Sequence, residues 1–167
     1  MTSIADVKSR VLEMLTEGLG LAVELHPDNE VLVELPDSST AVFIRFVAKE
    51  FESKEVEDQV FVNVSAPLLR GLALTPELYQ WVATEGTTYD IGCVQLYEIN
   101  SEDGGKSGFL RYAYTLLGDY LDEDELGTAL WTVLFTADNL DDELQAQFGG
   151  LRWADDDPGG GSNLSQK

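Results

Sequence analysis

Ile4, Val7, Val11, Met14 and Leu15 recur at α-helical spacing, so residues 4–17 read as an amphipathic helix. Ser3 with Asp6 three positions later supplies a capping box at its start, and Gly18 and Gly20 end it. The period then shortens. Residues 23–26, 31–35, 41–47 and 60–66 are rich in Val, Ile and Phe, and Pro27-Asp28-Asn29 and Pro36-Asp37-Ser38-Ser39 punctuate them. They predict four strands. Val31, Val33 and Leu35 alternate with less apolar positions, as a sheet covered on one face requires. Residues 49–58 are charged and predict a loop anchored by Phe51.

Thr75-Pro76-Glu77 is a helix start, with an N-cap hydroxyl, a first-turn proline and a carboxylate at the positive end of the dipole. Leu78, Trp81 and Val82 give that helix its apolar face, and Gly86 stops it. Residues 89–100 and 109–117 read as two further strands, joined by a hairpin loop at 101–105. Asp122 with Glu125 then opens a long helix. Its stripe runs Leu126, Leu130, Val133, Leu134, Ala137, Leu140, Leu144 and Phe148, and Gly149-Gly150 supplies the stop. Residues 1–150 therefore form one domain, and 151–167 read as an acidic, Gly-rich disordered tail without core material. The order helix, strands, helix, hairpin, long helix predicts an α+β fold: a mainly antiparallel sheet with helices packed on it.

Charge narrows the function. The 167 residues carry 10 Lys+Arg against 31 Asp+Glu, a net charge of −21. Such a surface repels nucleic-acid phosphates and anionic lipid, so neither is an expected partner. Cys93 is the only cysteine, which leaves no internal disulfide and no Cys-rich zinc site. The opening residues lack the basic-then-apolar pattern of a secretory signal, and no uncharged apolar run approaches the ~20 residues of a membrane span. A cytoplasmic protein without membrane insertion is the expectation.

The candidate chemistry fails motif by motif. A Ser-His-Asp or Cys-His arrangement would have to use His26, the single histidine, which sits at a strand-to-turn exit and reads as exposed. Cys93 lies in an apolar strand and reads as a buried, inert thiol. Gly104-Gly105-Lys106-Ser107 ends like a phosphate-binding loop, but Asn100 stands where a glycine is needed and a strand follows in place of a helix. Counted as a calcium loop from Asp122, the chain has Gly127 at the sixth position, yet Leu126 and Val133 where ligands belong. No catalytic residue, metal ligand or cofactor is expected.

No base occurs between Arg111 and Arg152, while Asp138, Asp141 and Asp142 crowd the later half of the long helix, against its dipole. These acids read either as a solvated face or as a surface for basic partner segments. Trp131 and Phe135 sit four apart beside the main apolar stripe, and Trp81 is placed similarly on the middle helix. Trp81, Trp131, Phe135, Asp138 and Asp142 are accordingly the candidate partner-binding residues.

The closing pattern Leu121-Asp122-Glu123-Asp124-Glu125-Leu126, Ala129-Leu130, Thr136-Ala137-Asp138 and Asp141-Asp142-Glu143-Leu144 up to Phe148-Gly149-Gly150 resembles the last helix of YbjN-like proteins. These share a fold with the small acidic type III secretion chaperones. The preceding order of elements is similar over roughly residues 3–150, with four strands before the middle helix where three are usual. The resemblance implies a non-enzymatic domain that binds peptide segments of other proteins, often as a homodimer. A protein or peptide client, favoured if basic, is the expected partner. The alternative is a regulatory domain sensing a small ligand between sheet and helices.

Overall fold

A computed structural model describes residues 3–26, 30–35, 38–50, 59–100 and 104–155. Helix α1 (Ile4–Glu13) carries the expected capping box: the Asp6 N–H donates to Ser3 Oγ at 3.2 Å, and the Ser3 N–H donates to Asp6 Oδ2 at 3.1 Å. A π-helical turn, Met14–Gly18, follows. Strands β1 (Val23–Leu25), β2 (Val31–Glu34), β3 (Ala41–Lys49) and β4 (Gln59–Leu72) come next, then helix α2 (Pro76–Thr84). Strands β5 (Cys93–Asn100) and β6 (Lys106–Leu117) and helix α3 (Glu123–Phe148) complete the domain. All strands join one antiparallel sheet in the order β1-β2-β3-β4-β6-β5. The α+β class and the order of elements are as the sequence predicts. Positions 51–58 and 101–103, where the Phe51 anchor and most of the hairpin loop were expected, lie outside the described residues, as do 156–167.

The core lies on one face of the sheet. Val42 and Ile44 of β3 and Val60, Val62, Val64 and Ala66 of β4 alternate inward. Against them pack Val7, Val11 and Leu15 from the first helix and turn, and Leu126, Leu130, Val133, Ala137 and Leu144 from α3. Burying side chains of this size contributes about 1.5–3 kcal/mol each, which outweighs the weak intrinsic preference of a Val-rich α1 for helix.

Four local expectations need correction. Strand β5 begins at Cys93 and not at residue 89, because Gly92 takes φ 79° and Tyr89 turns in to meet the Tyr112 ring edge-on at 5.2 Å. Strand β2 does not alternate: Val31, Leu32 and Val33 are all buried. Leu32 is covered from the opposite face by a second cluster with Ala41 and Phe43, capped by Trp153. His26 is half-buried, its ring edge-on to Phe43 at 6.2 Å, and so is not an exposed turn residue. Cys93 is likewise half-buried, because its position belongs to the face the helices leave uncovered.

That second cluster exists because the chain turns back after α3. Gly149 (φ 74°) ends the helix, and Leu151 then exchanges two 2.9 Å backbone hydrogen bonds with Arg70. This carries Trp153 across the end of the sheet to lie edge-on against Phe43, centroids 5.5 Å apart. Arg152 fixes the return. Its guanidinium pairs with Asp142 of α3 and with Asp155 at 3.0 Å. The Arg152 side chain and N–H, with the Gln145 amide, hold the Asp155 carboxyl down to about 2.

Candidate functional site

Register determines which side chains share the sheet's second face. Val42, Ile44, Val60 and Val62 face the helices, so Arg45, Val47, Phe61, Asn63, Thr115 and Leu117 face the other way. Among the described residues, only the short 151–155 return crosses this face, and it covers the Phe43 end. Val47, Phe61 and Leu117 stand opposite one another across β3, β4 and β6, forming an apolar row. Val47 is 45% exposed and Leu117 43%. Next to it the Asn63 amide donates to Thr115 Oγ1 at 3.0 Å.

Toward the β5 edge the face becomes aromatic. Tyr97 stands opposite Phe109, and Gln95 opposite Arg111. The Arg111 guanidinium lies 5.7 Å from the centroids of both the Tyr97 and Phe109 rings. Aromatic faces attract a cation, so this contact holds the side chain in place without neutralising its charge. Tyr97 donates its hydroxyl to Gln95 Oε1 at 2.7 Å, which orders the remaining neighbour. Ile99, 49% exposed, extends the patch along β5. β5 also borders the sheet: it pairs with β6 alone, so its outer backbone groups face away from any strand among the described residues.

The residues singled out from sequence scatter over the molecule. Trp81 is half-buried, edge-on to Phe148 at 6.0 Å, where it braces α2 against the end of α3. Trp131 and Phe135 do come together, stacked at 5.8 Å on the flank of α3, with Phe135 58% exposed. Asp138 is not free for a partner. Its Oδ1 accepts from the Ser39 N–H at 2.8 Å, the Ser39 hydroxyl at 2.5 Å and the Ser38 hydroxyl at 3.2 Å. Asp142 is exposed but ion-paired with Arg152. Sequence spacing alone did not reveal that the Ser38–Ser39 turn, some hundred residues away, occupies this part of the helix.

Asp141 is the third acid of that cluster, 1% exposed, and its Oδ2 lies 2.8 Å from the same Ser39 hydroxyl. A hydroxyl has one proton to give, so it cannot serve two carboxylates at once. Burial pushes the Asp141 carboxyl up, against the pull of Ser39. Burial also pushes on Asp138, but its three donors hold that carboxyl below its ordinary value. The consistent arrangement has a protonated Asp141 donating to Ser39 Oγ while Ser39 donates to ionised Asp138. Asp141 Oδ1, buried without a hydrogen-bond partner, is tolerable on a neutral acid and costly on an anion. Since the folded-state value is raised, this contribution is full below 3.8, the ordinary value, and is lost as pH rises through the raised one. Asp141→Asn, which supplies a permanent donor, should therefore gain stability relative to the parent as pH climbs. Urea melts at pH 4 and pH 7 read this directly, and a pH-independent difference between the two proteins would show that Asp141 is ionised throughout.

Two clefts open to solvent flank these elements. One is lined by Glu34, Leu35, Ser38, Thr40 and Trp153, the other by Ile91, Tyr114, Asp122, Glu125 and Thr128. A small space between Pro67, Leu69, Phe109, Leu151 and Trp153 measures about 10 Å³, roughly room for one water. No group of three or more His, Cys, Asp or Glu among the described residues is placed to hold a metal ion. No described helix is long and apolar enough to cross a membrane.

Sequence parity marks Val47, Phe61, Tyr97 and Leu117 as sharing faces within their own strands, but both faces of these strands carry apolar residues. Only the register and the helix positions show which set stays uncovered. Compared with known proteins, the chain matches the family model described as T3SS (YopN, CesT) and YbjN peptide-binding chaperone 1, over residues 5–156. No curated protein matches it.

Proposed function

The chain belongs to this family of peptide-binding chaperones, and from that premise we propose that it binds client segments along the uncovered face of its sheet, without catalysis. The observation that carries the reading is exposed apolar surface on one uncovered face: Tyr97 and Ile99 lie beside the unpaired β5 edge, and the row Val47–Phe61–Leu117 lies at the other end of β6. An extended segment can add to the β5 backbone with its side chains against Tyr97 and Ile99, so main-chain bonds supply affinity and these residues supply selection. The Val47–Phe61–Leu117 row can take a further stretch of a longer client. Trp131 and Phe135, on the opposite side, offer a second, smaller apolar contact for a client long enough to wrap the domain or for a second copy of the chain. A soluble homodimer acting in the cytoplasm is the setting this reading implies.

Selection of peptides from a random displayed library, followed by amide-shift mapping of a retained peptide, tests the proposal. The expected result is shifts on β5, β6 and the β3–β4 row. Leu117→Ser and Tyr97→Ser should each weaken binding about tenfold with little change in melting temperature, because both side chains lie on the uncovered face and are more than two-fifths exposed. Phe135→Ser should leave that affinity nearly unchanged. Retention of no peptide at all would overturn the reading, and shifts confined to the Trp131–Phe135 flank would move the site to α3.

A further inference from the structure

The charge of the molecule is divided by layer. Of the chain's 31 acids, only Glu98 lies in strands β3, β4, β5 and β6, whereas five of its ten bases do: Arg45, Lys49, Arg70, Lys106 and Arg111. Glu98 does not offset the uncovered face. It alternates with Tyr97 onto the helix side, where it pairs with Lys106 at 2.8 Å and accepts from the Tyr79 hydroxyl at 2.7 Å. A protein of net charge −21 thus presents, over β3, β4, β6 and β5, a face on which no register position carries a carboxylate; Glu30, just ahead of β2, reaches it only to pair with Arg45 at 2.5 Å.

Arg111 is the focus of that face. Among the described residues it makes no ion pair, and its Nε is buried without a hydrogen-bond partner. The two rings fix its direction, so a carboxylate arriving from outside meets an ordered donor group. Resting on the peptide-binding reading above, we infer that the sheet face selects extended segments that combine apolar residues with Asp or Glu, the acid seated on Arg111. The acidic helices and loops repel such a segment at long range, which restricts it to this layer. The sign is opposite to the one net charge alone suggests.

The test compares the composition of peptides retained from the random library by three forms of the full chain. The parent should enrich Asp and Glu among apolar residues over Lys and Arg. A retained peptide should bind about tenfold more tightly than its Glu→Gln counterpart, with the difference shrinking in high salt. Arg111→Gln should remove the acidic preference while apolar selection persists. Gln95→Glu provides a check in a protein that keeps Arg111. It sets a carboxylate directly opposite the guanidinium and preserves the Tyr97 hydrogen bond, so it should abolish the acidic preference with stability equal to or above the parent. Retained peptides that are basic or charge-indifferent would overturn the inference while leaving peptide binding intact. So would an acidic preference that survives both substitutions, or a face occupied by a second copy of the chain. Retention of no peptide would instead fell the underlying reading.

Discussion

Leu130→Ala should lower the unfolding free energy by about 2–5 kcal/mol, the cost of removing a fully buried leucine and leaving part of its volume empty. Leu130 sits in the first third of α3, at 0% exposure, in the cluster that joins this helix to β3 and β4. Neighbouring apolar residues come from the long helix and the sheet, two elements that cannot move toward each other without disturbing their other contacts. The cavity will therefore collapse only partly. In urea the midpoint should fall with little change in slope, and the melting temperature should drop by roughly 2–4 °C for each kcal/mol. Phe135→Ala, five residues further along the same helix, should change stability by less than about 0.5 kcal/mol, since that ring is 58% exposed. Equal costs at the two positions would mean that α3 packs on the sheet by a different face.

Gly92→Ala should be of comparable severity by another mechanism. At φ 79° an L-residue is strained by about 1–2 kcal/mol. Its Cβ would also stand 2.7 Å from the Ala113 carbonyl oxygen and 3.1 Å from the Tyr112 ring, neither of which can yield cheaply. Tyr112 is buried, and its hydroxyl donates to the Ile91 carbonyl. Together these effects predict a loss of about 2–5 kcal/mol. Gly104→Ala separates the two contributions, because φ there is 83° but nothing lies within 4 Å of the added carbon. That variant should lose about 1–2 kcal/mol, and a Gly92→Ala loss no larger would show that β5 enters the sheet without the close approach to β6.

What the chain order discloses is governed by how local each cause is. The Ser3, Thr75 and Asp122 caps, and the stripe of α3, act within a few residues, and all three helices form where the pattern puts them. The start of β5 is not legible in the sequence because Tyr89 is as β-prone as the residues after it, and its departure depends on Tyr112. Asp138 and Asp141 look like surface acids until Ser39 is brought to them. Trp153 follows a glycine pair that usually signals the end of structure, yet the bridge between Leu151 and Arg70 sends it onto Phe43. The uncovered face was the least legible feature. Within β3, β4 and β6 the inward and outward sets are both rich in apolar side chains, and the choice between them is made by α1 and α3.

The placement of β6 between β4 and β5 also has a consequence in time. β1 to β4 can pair as they are made, since each follows its neighbour in sequence. The free edge of β4 must wait for β6, and the apolar side of the early strands must wait for α3, which ends at Phe148. At ~5–20 residues per second, the interval from Leu72 to Phe148 is roughly 4–15 s of synthesis. Throughout it a nascent four-stranded ribbon offers both a bare edge and a bare core to whatever is nearby. A member of a peptide-binding chaperone family thus passes through a stage in which its own strand edge and apolar face lie uncovered.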